Sequence, residues 1–118
     1  MGKIYVCSPL RPLASGREEA QKELEGNLKV ARRACREIVL GGDVPICPHI
    51  YATQFLDDNV DAERNMGMAI GFLWLKESDE LRVYGGRVSE GMKAEIDLAE
   101  SIGIPVTYAA DLGKKEVS

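Results

Sequence analysis

The chain has 118 residues, enough for one compact domain and too few for two ordinary ones. Apolar residues make up 45% and charged residues 29%, a mixture that buries a core and excludes a disordered or collagen-like chain. Fifteen Lys and Arg stand against nineteen Asp and Glu with no long basic run, so the net charge of −4 argues against a partner of nucleic acid duplex type, although a small anionic ligand needs only one local positive pocket.

Lys3–Cys7 is a short β-branched and aromatic run stopped by Ser8-Pro9, and it predicts a buried strand. Ser8–Gly16, with two prolines, an arginine and a glycine, reads as a loop. From Arg17 the period changes: Leu24, Leu28, Ala31, Cys35 and Ile38 recur at steps of four and three, the pattern of an amphipathic helix ended by Gly41-Gly42. Val44–Cys47 predicts a second strand, at a sheet edge where Pro45 removes no ladder bond. Pro48–Val60 reads as a long connection, followed by a helix over about Asp61–Glu77 with Asp58, Asn59 or Asp61 as its cap. Leu81–Tyr84 is a third strand, closed by Gly85-Gly86. Ser89 opens another helix, with Met92, Ile96 and Ala99 on its apolar face and Gly103 just past its end. Ile104–Tyr108 is the fourth strand, and 113–118 a polar C-terminal tail to a domain spanning 1–112.

This order, β-α-β-α-β-α-β, predicts a single-domain α/β sandwich of Rossmann-like type. It has a parallel sheet of four to five strands and helices on both faces. Strand order 2-1-3-4 puts a switch point between the first and third strands, and ligands in such sheets bind beyond the carboxyl ends there. The loops Ser8–Gly16, Pro48–Asp58 and Gly85–Gly91 are thereby selected as walls of a site.

Other classes drop out. Cys7, Cys35 and Cys47 form no C-x-x-C pair and His49 is the only histidine, so no zinc site is expected. Three unpatterned cysteines fit a reducing interior. The longest apolar run, Met66–Leu75, is half of the roughly 20 residues a membrane span needs. The first residues enter a strand directly, with no leader pattern, and Val6 stands where a myristoylation signal wants Ser or Thr. A cytoplasmic protein without cofactor or membrane partner is expected. No P-loop motif and no G-x-G-x-x-G after the first strand occur, which argues against P-loop nucleotidases and dinucleotide dehydrogenases. Met66–Leu75 is apolar all round, and Gly67 and Gly71 allow close backbone approach, so a homodimer or higher homo-oligomer through this helix is expected.

The segment Gly85–Glu95 joins a strand to a helix with Ser89 at the N-cap position, where exposed N–H groups attract a phosphate or carboxylate. Glu95 lies nearly two turns on, on roughly the same side as Ser89; spacing alone favours the plainer reading, a capped helix with Glu95 exposed and paired with a lysine. Arg11 can clamp a phosphate bidentately or lie flat on the surface. Tyr5 reads as core, His49 as a loop anchor or a base, and the adjacent Asp57 and Asp58 as caps or, less simply, as ligands for Mg²⁺.

Ile4-Tyr5-Val6-Cys7-Ser8-Pro9-Leu10-Arg11, followed by Ser89-x-Gly91-x-x-x-Glu95, resembles the nucleoside 2-deoxyribosyltransferase superfamily. It is nearest to the deoxynucleoside 5′-monophosphate N-glycosidases. Pro48–Asp58 with Ser89–Met92 is similar to a small uncharacterised phage and bacterial branch of it. The resemblance implies a nucleotide or nucleoside substrate and Glu95 as the nucleophile that attacks the anomeric carbon. Tyr5 would hold the carboxylate, and Ser8, Leu10, Arg11, Ser89, Gly91 and Met92 would line the phosphate or substrate site. The family's auxiliary acid falls at Gly71, which has no side chain; either Asp57, Asp58 or Glu63 substitutes for it, with His49 a further auxiliary candidate, or the activity is weak, altered or absent. The alternative is a nucleotide-binding protein of this fold that senses or sequesters its ligand without turnover.

Overall fold

A computed structural model describes residues 1–110, so the tail expected over 113–118 lies outside the described residues. The elements are β1 (Lys3–Cys7), α1 (Arg17–Leu40), β2 (Val44–Ile46), α2 (Pro48–Ala52), α3 (Asp61–Lys76), β3 (Glu80–Val83), α4 (Glu90–Ser101) and β4 (Val106–Tyr108). The four strands form one parallel sheet in the order β2-β1-β3-β4, as the sequence predicts.

Side chains of a strand alternate between faces, and β1 uses this to build two cores. Tyr5 and Cys7 face one side and pack with Leu75 of α3 and Met92, Ile96 and Ala99 of α4. Ile4 and Val6 face the other, against Ala31, Ala34 and Ile38 of α1. The result is a three-layer sandwich with β1 at its centre. Two carboxylates pin the start of this strand: Asp43 Oδ1 accepts from the N–H of Gly2 at 2.9 Å, and Asp79 Oδ2 from that of Lys3 at 2.8 Å.

Several boundaries differ from the sequence reading. The Pro48–Val60 connection contains a helix, α2, which Pro48 opens with its fixed φ and absent N–H. Helix α3 starts from Val60 without a side-chain cap. Asp57 instead accepts from the N–H of Asn59 at 2.9 Å, an Asx turn, while Glu63 Oε1 reaches back to the N–H of Asp57 at 3.0 Å. Strand β3 runs one residue earlier than Leu81–Tyr84, because Glu80 already pairs with Ile4. Strand β4 is shorter than Ile104–Tyr108: the Ile104 N–H is held by the carbonyl of Ala99 at 2.8 Å, closing α4 around Gly103 at φ 79°.

Helix α3 buries Gly71 and Leu75 and leaves Met66 and Leu73 58% and 62% exposed. Among the described residues nothing covers Met66 and Leu73 on its second apolar face. Among the described residues no helix is long and apolar enough to cross a membrane.

Candidate active site

A cavity of about 540 Å³ opens beyond the carboxyl end of β1, between the loop that follows it, the N-terminus of α4, and helices α2 and α3. This is the position the switch point predicts. Tyr5, Glu95, Ser8, Ser89 and Gly71 all line it.

Glu95 is at its floor, 8% exposed, so the reading of a solvent carboxylate paired with a lysine does not hold. The Tyr5 hydroxyl donates to Glu95 Oε2. The Cys7 thiol lies 3.7 Å from Oε1 and 3.8 Å from the carbonyl of Met92. Burial pushes the Glu95 carboxyl up to about 7, while the bonds from Tyr5 and Cys7 pull the other way. Burial and the Glu95 charge push the Tyr5 phenol well above its ordinary value, so it stays a donor. Tyr5 is thus both a core residue, 1% exposed, and a partner of the carboxylate.

Gly71 explains its own missing side chain. A Cβ there would stand 2.9 Å from Tyr5 Oη and 3.8 Å from both Glu95 Oε2 and Pro48 Cγ. The phenol fills the space that an acid on α3 would enter.

At the other end of the cavity, Ser89 caps α4 by accepting from the Met92 N–H at 3.2 Å. The Ser89 and Met92 N–H groups are used within this cap, whereas those of Glu90 and Gly91 have no carbonyl four residues back in the helix to bond, and Gly91 lines the cavity. Met92 also lines the cavity, but its N–H is engaged by Ser89 and its side chain is in the core. Ser8 is fully buried and its Oγ has no partner among the described residues, a polar group waiting for one. Arg11 is exposed at the rim beside Leu10, whose carbonyl is tied to Asn27 Nδ2 at 3.0 Å.

The auxiliary candidates divide. His49, on α2, lines the cavity; its Nδ1 is enclosed with no partner, and burial pushes the imidazole down to about 4, so it is neutral. It does not anchor a loop through that nitrogen. Asp58 lines the cavity, its carboxyl raised by burial against the opposing charges of Arg64 and Arg11. Glu63 is also on the wall but holds the Asp57 backbone, and Asp57 turns away into its own Asx turn. Among the described residues no group of three or more His, Cys, Asp or Glu could hold a metal ion.

Sequence reasoning missed three contributors. Cys7 touches Glu95, and the period-2 alternation of a strand, which puts it on the Tyr5 face, is the signal that finds it. Arg64 enters from α3. Arg87 donates to the Arg11 carbonyl at 3.0 Å and pairs with Glu23 at 3.7 Å, tying the loop after β3 to the loop after β1. No local pattern marks either arginine.

The parallel sheet in order 2-1-3-4 with helices around it is an α/β fold similar to the nucleoside deoxyribosyltransferase fold. The chain is similar in structure to a 2-deoxyribosyltransferase from the psychrotolerant bacterium Bacillus psychrosaccharolyticus, with a TM-score of 0.54 and 19% identity over 90% of this chain and 70% of that one. By sequence the chain belongs to the family described as domain of unknown function DUF7768, which matches residues 2–109. No curated protein sequence matches it.

Proposed function

We propose that this protein cleaves or exchanges the N-glycosidic bond of a nucleotide or nucleoside, with Glu95 as nucleophile. The observation that carries the reading is the buried carboxylate held by Tyr5 at one end of a cavity whose other end is a capped helix N-terminus. The fold shared with a deoxyribosyltransferase supports the same sugar chemistry.

In this reading the 5′ end of the substrate lies against Ser8, Ser89, Gly91 and Arg11, donors suited to a phosphate. The sugar then reaches Glu95. The carboxylate bonds to the anomeric carbon as the C–N bond breaks, and the electron pair leaves with the base, which takes a proton from the solvent side. Water or a second base attacks the same carbon and releases the carboxylate. With no acid at position 71, His49 and Asp58 are the residues on the wall that can contact the departing base. Nucleophilic work requires ionised Glu95, so activity rises as pH passes through about 7.

The protein acts as a cytoplasmic homodimer in the same proposal, its partner covering Met66 and Leu73 of α3. The test is a thermal-shift screen of nucleosides and 5′-nucleotides with chromatography for released base. Release of base from a ligand that stabilises the protein supports the enzyme. Tight binding without release favours a sensor or sequestering protein.

A further inference from the structure

We propose that Cys7 is a positioning residue for Glu95: its thiol holds Oε1 while Tyr5 holds Oε2, and the weakness of the thiol as a donor leaves Oε1 as the oxygen that bonds to the sugar. The inference rests on the glycosidase reading for the identity of the bond formed, and on the geometry alone for the hold on the carboxylate.

Cys7 is the last residue of β1, fully buried, with Sγ 3.7 Å from Glu95 Oε1. The same sulfur lies 3.8 Å from the Met92 carbonyl, one turn before Glu95 on α4. A single S–H is therefore shared between two acceptors of one helix. Burial and the Glu95 charge push the thiol well above its ordinary value, so it remains a neutral donor and not a competing nucleophile.

The two oxygens of Glu95 are unequal in consequence. A phenol is a strong donor, and Oε2 is committed to it. A thiol is a weak one, so Oε1 is fixed in place yet keeps its electron density. A serine hydroxyl at position 7, on a bond shorter than the C–S bond, would fall outside O–H···O range of Oε1, so the reach of the sulfur is what makes the contact. Cys7 itself makes and breaks no covalent bond: Oε1 bonds to the anomeric carbon, the C–N electron pair leaves with the base, and the proton stays on sulfur.

Few groups face Glu95, and those packed against it are neutral. From β1 these are Tyr5 and Cys7; α3 presents Gly71, and α2 presents Pro48 with His49 on the same cavity. Arg11, Arg64 and Arg87 line that cavity as well, and among the described residues no ion pair joins Glu95 to them.

The test is a pH titration of the full chain labelled with ¹³C at glutamate Cδ, the Glu95 resonance being assigned by its loss in Glu95→Gln. Cys7→Ser and Cys7→Ala are both expected to raise the Glu95 midpoint, each by on the order of half a pH unit, since the serine hydroxyl is out of reach of Oε1 and alanine has no donor. The activity arm follows base release against pH. In both variants the acidic limb should move up with the midpoint, while kcat on the plateau falls and KM holds. Midpoints that stay at the wild-type value in both variants overturn the inference, because a merely packing cysteine would change stability alone. If only one variant folds, the sign of its shift decides. Shifts of the expected sign in a protein that releases no base uphold the hold on Glu95 and sink the glycosidase reading.

Discussion

Gly71 and Tyr5 occupy each other's space: the hydroxyl of the tyrosine lies 2.9 Å from where a Cβ on residue 71 would stand. The absence of a side chain at residue 71 is thus tied to the hydrogen bond that Tyr5 gives Glu95. Any side chain on residue 71 competes with the phenol.

Gly71→Ala is accordingly expected to destabilise the fold by about 1–3 kcal/mol, the usual range for overpacking a tight core. The buried ring of Tyr5 has little room to retreat. Gly26→Ala is the control: it is also within a helix, and a Cβ there meets nothing within 4 Å. That substitution should stabilise by up to about 1 kcal/mol through helix propensity. Urea denaturation of the two variants reads both signs.

The Glu95 carboxyl gives stability a definite pH slope. Its folded value of about 7 is above the unfolded one of 4.5, so the folded state holds the proton longer. This contribution is fully present below pH 4.5 and is lost as pH rises through about 7, a change of roughly 3 kcal/mol. His49 slopes the other way, its folded value of about 4 being below the ordinary 6.5. The wild-type profile mixes the two. The difference between wild type and Glu95→Gln, followed by denaturation from pH 4 to 8, isolates the glutamate and should favour wild type increasingly toward acid.

Ser89→Ala separates the phosphate end from the sugar end. It removes the cap of α4, at a cost of about 0.5–2 kcal/mol in stability. It should also weaken a 5′-nucleotide by about 1–3 kcal/mol, the range for a hydrogen bond to a charged group. An unphosphorylated nucleoside should bind nearly as before. Calorimetric titration with both ligands checks the contrast.

Leu73→Glu addresses assembly. Residue 73 is 62% exposed on the uncovered face of α3, so a charge there costs the isolated subunit little. In a dimer that closes over this face the charge is buried without a partner, and light scattering should show a monomer with an unchanged circular dichroism spectrum.

Much of this fold was legible in local patterns. The β-branched and aromatic run of β1, the helical period of α1 and the Gly103 stop marked the succession of elements from which the layers follow, because these signals are written within a few neighbouring residues. Ser89 was legible for the same reason. The burial of Glu95 was not, since it arises where a β1 face meets an α4 face 88 residues away from Cys7. Helix α2 was hidden by its short length, and the exclusion of a side chain at Gly71 depends on a tyrosine on another element. Resemblance to a family pointed at Glu95 and Tyr5; only the packing shows why residue 71 must be small.

The central claim is that Glu95 is the nucleophile, and the most direct measurement compares base release and nucleotide binding by wild type and Glu95→Gln. The amide is nearly isosteric and keeps the fold and the affinity, yet it cannot form the sugar ester, so turnover should fall by at least about a thousandfold. Undiminished base release by Glu95→Gln would contradict the account, as would a wild type that binds a nucleotide tightly and releases base from none.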